Sequence, residues 1–314
     1  MGTQPLHTLT TVVLDVEIRV HSDSPSLLSD LEKRFGSSNG SGAASGPFEL
    51  HAIKGGDEFL VRFEGRQEKL RVAERWPRFD ELIQLIVRRE RKDLAFIHGA
   101  CVATKQGAAI LFGSSTAGKT TLGLAIRQRG FQLLADDTTP LALKTRMALP
   151  FCTGYHLRPH TRQLAAEQEW DCRLEVAPTA PSPSGAQVRW VVHVVPRTVT
   201  RTGTLGSGDL AEWERQQRLV YANVPGGQTP DNRHMRVHSE ADFTRPPELR
   251  PVRQSQMVRE LLRHSYMPVG MDLTVGLSAM ARLLNNVNYV QLTPGSLDET
   301  VTLLEAWMFS NGNK

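Results

Sequence analysis

Beta-branched and apolar residues nearly alternate with polar ones over 8–22 (TLTTVVLDVEIRVHS), the period of a strand with one buried face. Ser24-Pro25 then sets a cap residue and a first-turn proline ahead of a short helix that runs to Phe35. Residues 36–47 (GSSNGSGAASGP) hold too little apolar surface to pack and read as a flexible loop. Strands near 48–53 and 58–64 flank a Lys54-Gly55-Gly56-Asp57 turn, a third strand follows at 68–73, and a helix is predicted over about 77–92. This first stretch has the pattern of a small α/β unit.

From Leu94 the pattern changes. LAFIHGACVAT and GAAILFG, joined by Lys105-Gln106, predict a hairpin whose second strand runs straight into a glycine-containing loop. A helix at about 119–129, Gly130 as its left-handed cap and the strand Phe131–Ala135 follow, ending in Asp136-Asp137. Residues 178–187 and most of 200–247 are polar and rich in Gly and Pro, which predicts long loops around a strand at 188–195 and a candidate lid at 200–240. Helices near 253–264 and 273–284, a strand at 288–292 and a last helix opened by the capping box Ser296-x-x-Glu299 complete the pattern.

At 314 residues the chain exceeds one typical core, and the break in pattern divides it into a small α/β amino-terminal domain at 1–92 and a larger domain at 93–314. With 40% hydrophobic and 22% charged residues, wholesale disorder is excluded. Cys101, Cys152 and Cys172 lack paired spacing, which argues against a disulfide framework or a zinc site and suits a reducing compartment. The opening MGTQPLHTLT has no basic region ahead of an apolar run, and no stretch approaches the roughly 18 apolar residues that span a membrane. A cytoplasmic protein with no membrane partner is therefore expected. A net charge of +4 would suit a polyanion, but the basic residues are dispersed and the block RRERK at 88–92 falls at a helix end, so no nucleic-acid partner is expected.

The chemistry concentrates in one segment. Gly113-Ser114-Ser115-Thr116-Ala117-Gly118-Lys119-Thr120 fits G-x-x-x-x-G-K-[ST], with Thr121 next in line. In such a loop the glycines let successive backbone N–H groups turn inward, where they and a helix amino-terminus hold phosphate oxygens. Lys119 then supplies a charge to the β- and γ-phosphates of ATP, and Thr120 offers its hydroxyl to Mg2+. A right-handed crossover delivers Asp136 and Asp137 to the same sheet edge, where one carboxylate can hold Mg2+ and the other accept a proton from an attacking hydroxyl. A two-residue turn at Lys105-Gln106 sets His98 opposite Gly113, at the mouth of the loop. Arg158, Arg197, Arg245, Arg250 and Arg253 are weaker candidates for a phosphate clamp, and His156, His160 and His193 show no paired metal-ligand spacing.

The order IHG at 97–99, GSSTAGKTTL at 113–122 and LLADD at 133–137 resembles the catalytic domain of HPr kinase/phosphorylase. LLRHSYMP at 261–268 and the closing strand and helix are similar, more loosely, to stand-alone HPr-kinase-related proteins. The resemblance implies an α/β fold with a phosphate-loop (P-loop) mixed-sheet kinase domain of HPr kinase type, here preceded by the small α/β domain. It also implies that His98 assists at the phosphates, that Asp136 acts as base and that Asp137 supports Mg2+ or the base. Thr121 departs from the pattern, since the kinase/phosphorylases tend to carry an acidic residue there. The implied activity is transfer of the γ-phosphate of ATP to a hydroxyl of a peptide, small protein or small metabolite, and the family leans towards a homo-oligomer. The competing readings are a P-loop NTPase switch, which would need a water-positioning residue, and a non-catalytic nucleotide-binding regulator.

Overall fold

The computed structural model describes residues 5–36, 47–72, 75–114, 116–151, 159–168, 170, 185–196, 198–202, 237–241, 244–268 and 270–310. Where one strand is expected over 8–22 there are two, β1 (His7–Val13) and β2 (Val16–Ser22), paired antiparallel. The chain reverses at Leu14-Asp15, both at positive φ (49° and 65°), a tight turn that no glycine announces. Helix α1 (Pro25–Phe35) buries Leu27, Leu28 and Leu31 and carries the chain back so that β3 (Phe48–Gly55) lies parallel to β2. Strands β4 (Glu58–Phe63) and β5 (Arg66–Arg71) extend the sheet antiparallel, in the order β1-β2-β3-β4-β5. Helix α2 (Arg75–Glu90) follows, with Phe79, Ile83, Ile86 and Val87 fully buried.

The hairpin of β6 (Leu94–Thr104) and β7 (Gly107–Phe112) has the register set by a two-residue turn, pairing Thr104 with Gly107 and Gly99 with Phe112. After α3 (Lys119–Gln128), β8 (Gln132–Ala135) and β9 (Thr138–Ala142) both pair with β6, and the chain passes from one pairing to the other at Asp136-Asp137. The remaining elements are β10 (Met147–Ala148), α4 (Pro159–Glu167), β11 (Ala186–Val194), β12 (Thr198–Thr202), β13 (Val237–Ala241) and β14 (Glu248–Arg250). They are followed by α5 (Gln254–Arg263), β15 (Ser265–Tyr266), α6 (Leu273–Leu284), β16 (Asn288–Thr293) and α7 (Leu297–Ser310).

The second sheet has nine strands, ordered β10-β9-β6-β7-β11-β16-β14 with β8 and β15 also on β6. Its centre, β7-β11-β16, is parallel and apolar on both faces, as burial between two helical layers requires. Leu111, Trp190 and Val192 face α3 and α7, where they meet Leu122, Ile126, Leu304 and Met308. Ile110, Phe112 and Val191 share the opposite cluster with Met257, Leu261, Met280 and Leu283. The architecture is therefore mixed α/β. Strands β12 and β13 pair with each other where loops are expected, and most of the 200–240 segment lies outside the described residues. Among the described residues no helix is long and apolar enough to cross a membrane.

Candidate functional site

Strand β6 lies between β7 and β8 and runs antiparallel to both, so β7 and β8 are parallel to each other and end at the same sheet edge. The turn from β7 into α3 starts there with Gly113, whose φ of 154° lets the backbone pass Val194, and ends at Gly118, left-handed at φ 87°. Between them Ala117 is buried, Ser114 and Thr116 are exposed, Thr116 has φ 72°, and Ser115 lies outside the described residues. The first turn of α3 closes with Leu122 N–H donating to the Gly118 carbonyl at 2.9 Å.

Lys119 opens α3 and is buried, although an ammonium group is seldom buried without partners. Its Nζ donates to the carbonyl oxygens of Gly113 (3.0 Å) and Ser114 (2.9 Å), folding the side chain back across the turn. It also stands 3.3 Å from His98 Nε2. The register of the β6–β7 hairpin, continued by one residue, sets His98 opposite Gly113. An imidazole that accepts from Lys119 at Nε2 carries its proton on Nδ1, and Nδ1 lies 3.3 Å from Asp137 Oδ1. Burial and the Lys119 ammonium hold the His98 pKa below its ordinary value, against the pull of Asp137.

The two aspartates have different partners. Asp136 is buried at the end of β8 and accepts a 2.9 Å hydrogen bond from Thr120 Oγ1. Burial pushes its pKa up to about 6, opposed by the Thr120 hydrogen bond and reinforced by the neighbouring Asp137 carboxylate. Asp137 has φ 64° and an exposed carboxylate on the His98 side. Asp137, expected to share Mg2+ with Thr120, thus lies beside His98, and the carboxylate bonded to Thr120 is that of Asp136. Successive residues at a strand end point to opposite faces, and the left-handed backbone at Asp137 adds to the divergence. Thr120 and Asp136 offer paired oxygen donors of the kind that suits a hard divalent cation.

Thr121 is hydrogen-bonded to Thr161 of α4, hydroxyl to hydroxyl at 3.0 Å. Arg250 pairs with Glu248, Arg253 stands at the amino-terminus of α5, and Arg245 is exposed. Arg158, Arg197 and His156 lie outside the described residues, as does the side chain of His160. Three contacts at the site escape sequence reasoning because their partners are remote in the chain. The Thr138 hydroxyl donates to Gln84 of α2 at 3.1 Å, His98 N–H donates to the His264 carbonyl at 2.6 Å, and His264 lies edge-on to Phe112.

No protein-family model and no curated protein matches this chain. Among solved structures it is similar to one described as the structure of the HPr(Ser) kinase/phosphatase from Coxiella burnetii. That match has 17% identity and a TM-score of 0.22, and covers 40% of this chain and 94% of that one. A similarity so slight bears no weight for function, which has to be read from the geometry.

Proposed function

We propose that the chain is a phosphotransferase that binds ATP and Mg2+ at the β7–α3 turn and moves the γ-phosphate to a hydroxyl of a peptide, small protein or small metabolite. The observation that supports it best is the convergence on Lys119. A buried ammonium group lies at a G-x-x-x-x-G-K-T turn, with one Thr–Asp pair and one His–Asp pair beside it. A structural loop has no use for this set, whereas phosphoryl transfer needs a charge on the phosphates, a cation ligand pair and a proton acceptor.

In this reading Gly113, Ser114, Ser115, Thr116, Ala117, Gly118 and the amino-terminus of α3 hold the phosphates, and Thr120 and Asp136 hold Mg2+. Bound Mg2+ neutralises charge on the transferred group. Lys119 exchanges its loop carbonyls for phosphate oxygens. Asp137, exposed and next to His98, takes the proton of the acceptor hydroxyl, and His98 orients that carboxylate through Nδ1. This exchanges the parts that the family resemblance implies for Asp136 and Asp137, and the Thr120–Asp136 hydrogen bond is the reason.

The direct test is incubation of the purified chain with γ-labelled ATP, Mg2+ and a fractionated lysate. Label is expected in a hydroxyl-bearing acceptor and is lost with Lys119→Ala, which should also weaken nucleotide binding at least tenfold. Release of all label as inorganic phosphate would mean an NTPase switch instead. Unchanged affinity in Lys119→Ala would remove the phosphate-loop reading altogether.

A further inference from the structure

His193, Glu260 and His264 come together from two elements although nothing in their spacing pairs His193 with the others. Their donor atoms all lie within 4.8 Å of one another, and all three residues are half-buried. Glu260 and His264 stand four residues apart at the end of α5, where the His264 N–H still bonds the Glu260 carbonyl at 3.2 Å, so both fall on one helical face. His193 reaches them from the carboxyl end of β11, beside Phe112 of β7. The Phe112 ring stacks flat on His193 (centroids 4.8 Å, 10° between planes) and edge-on to His264 (5.8 Å), fixing both imidazoles. The His264 backbone is pinned by His98 N–H.

We propose that His193, Glu260 and His264 bind a divalent transition-metal ion of the Zn2+ class. Two imidazole nitrogens and one carboxylate oxygen are a zinc donor set that leaves one position for water or for an oxygen of a bound molecule. Mg2+ and Ca2+ prefer all-oxygen sites, so this centre is chemically distinct from the Thr120–Asp136 pair. Tetrahedral zinc with bonds of about 2.0–2.2 Å sets its ligands roughly 3.4 Å apart, so the three side chains draw together from separations of up to 4.8 Å when the ion binds.

The neighbouring charges divide. Glu260 already pairs with Arg263 (3.0 Å) and Arg259 (3.6 Å), but both arginines are largely exposed and such pairs are weak. The Lys119 ammonium opposes a further cation. Burial first, then Lys119, His193 and His98, lowers the His264 pKa to about 4, and burial lowers that of His193. Both imidazoles are therefore neutral at pH 7, with no proton for a metal to displace.

The test uses the full chain, stripped with a chelator and titrated with Zn2+ by calorimetry. One equivalent should bind with micromolar or tighter affinity, undisturbed by millimolar Mg2+. His264→Ala and Glu260→Gln should each weaken it at least tenfold. Failure of the wild-type chain to bind stoichiometrically, or unchanged affinity in both variants, overturns the proposal. Loading the wild-type chain with Co2+ gives a readout free of any folding defect in the variants. Visible bands without thiolate charge transfer support the site, and a near-ultraviolet thiolate band overturns it by assigning the metal to cysteine. Because no nucleotide is present, metal binding stands or falls separately from the phosphate-loop reading.

Discussion

Asp136 carries a cost that can be measured. Its pKa of about 6, against an ordinary 3.8, means that the folded chain takes up the proton more readily than the unfolded one. The stability tied to this group is therefore full below about pH 4 and is lost as pH rises through about 6. Asn mimics the protonated form and still accepts from Thr120. Asp136→Asn should thus stabilise the ligand-free protein at pH 7.5, by on the order of 2–3 kcal/mol at most, and the gain should vanish towards pH 4. Thermal melts across that range measure it. A charge-neutral residue cannot hold Mg2+ as well, so the same variant should bind Mg2+-ATP at least tenfold more weakly. Asp137→Asn should keep near-normal affinity and lose transfer at least a hundredfold. Reversed results in calorimetry and single-turnover assays would return the base to Asp136. The glycine–lysine–threonine run and both aspartates are legible in the sequence, but the different partners of the two aspartates are not. They depend on which way each side chain leaves the strand end, and the left-handed backbone at Asp137 carries no local signature.

At the level of elements, the register of the β6–β7 hairpin follows from its two-residue turn, and with it the place of His98 opposite the loop. The Leu14-Asp15 reversal is hidden because its first left-handed residue is Leu14, a type seldom found there, and Asp15 alone is a weak turn signal. The His193–Glu260–His264 group is hidden because tertiary packing alone joins β11 to α5. The two glycines of the β7–α3 turn serve different ends and should fail differently. A Cβ on Gly113 would lie 2.3 Å from the Val194 carbonyl oxygen, which belongs to the neighbouring strand and cannot yield. Gly118 has open space around it and only its φ of 87° to protect. Gly118→Ala should cost about 1–2 kcal/mol and leave the fold intact, while Gly113→Ala should cost more and displace the loop from β11. Denaturant melts on both variants, with nucleotide binding alongside, separate backbone strain from collision. Equal losses would show that the close approach to Val194 is not a constraint.

Across the molecule, the expected boundary at 92/93 falls between α2 and β6, and we propose the stretches on either side as two structural units. Their apolar residues nevertheless form one continuous cluster, from Ile18 and Leu50 of the first sheet through Phe79, Ile83 and Ile86 of α2 to Phe96 and Ile110 of the second. Polar contacts cross the same boundary. Gln84 of α2 accepts from Thr138, next to the aspartate pair, and Arg88 stacks over Tyr266 at 4.4 Å. Helix α2 thus serves both sheets, and a fragment beginning at residue 93 would leave part of the apolar face of the second sheet without cover, although α5 and α6 remain on it. That fragment is expected to aggregate or melt well below the intact chain, whereas one beginning at residue 75 retains α2 and should lose less. Even within the intact chain, Phe79→Ala should cost about 3–5 kcal/mol, because the ring is fully buried within this cluster. Comparing the two fragments by circular dichroism and sedimentation decides the matter. If the chain from residue 93 folds as well as the chain from residue 75, α2 belongs to the amino-terminal unit alone and the shared cluster contributes little to holding the sheet edge at Asp136-Asp137 in place.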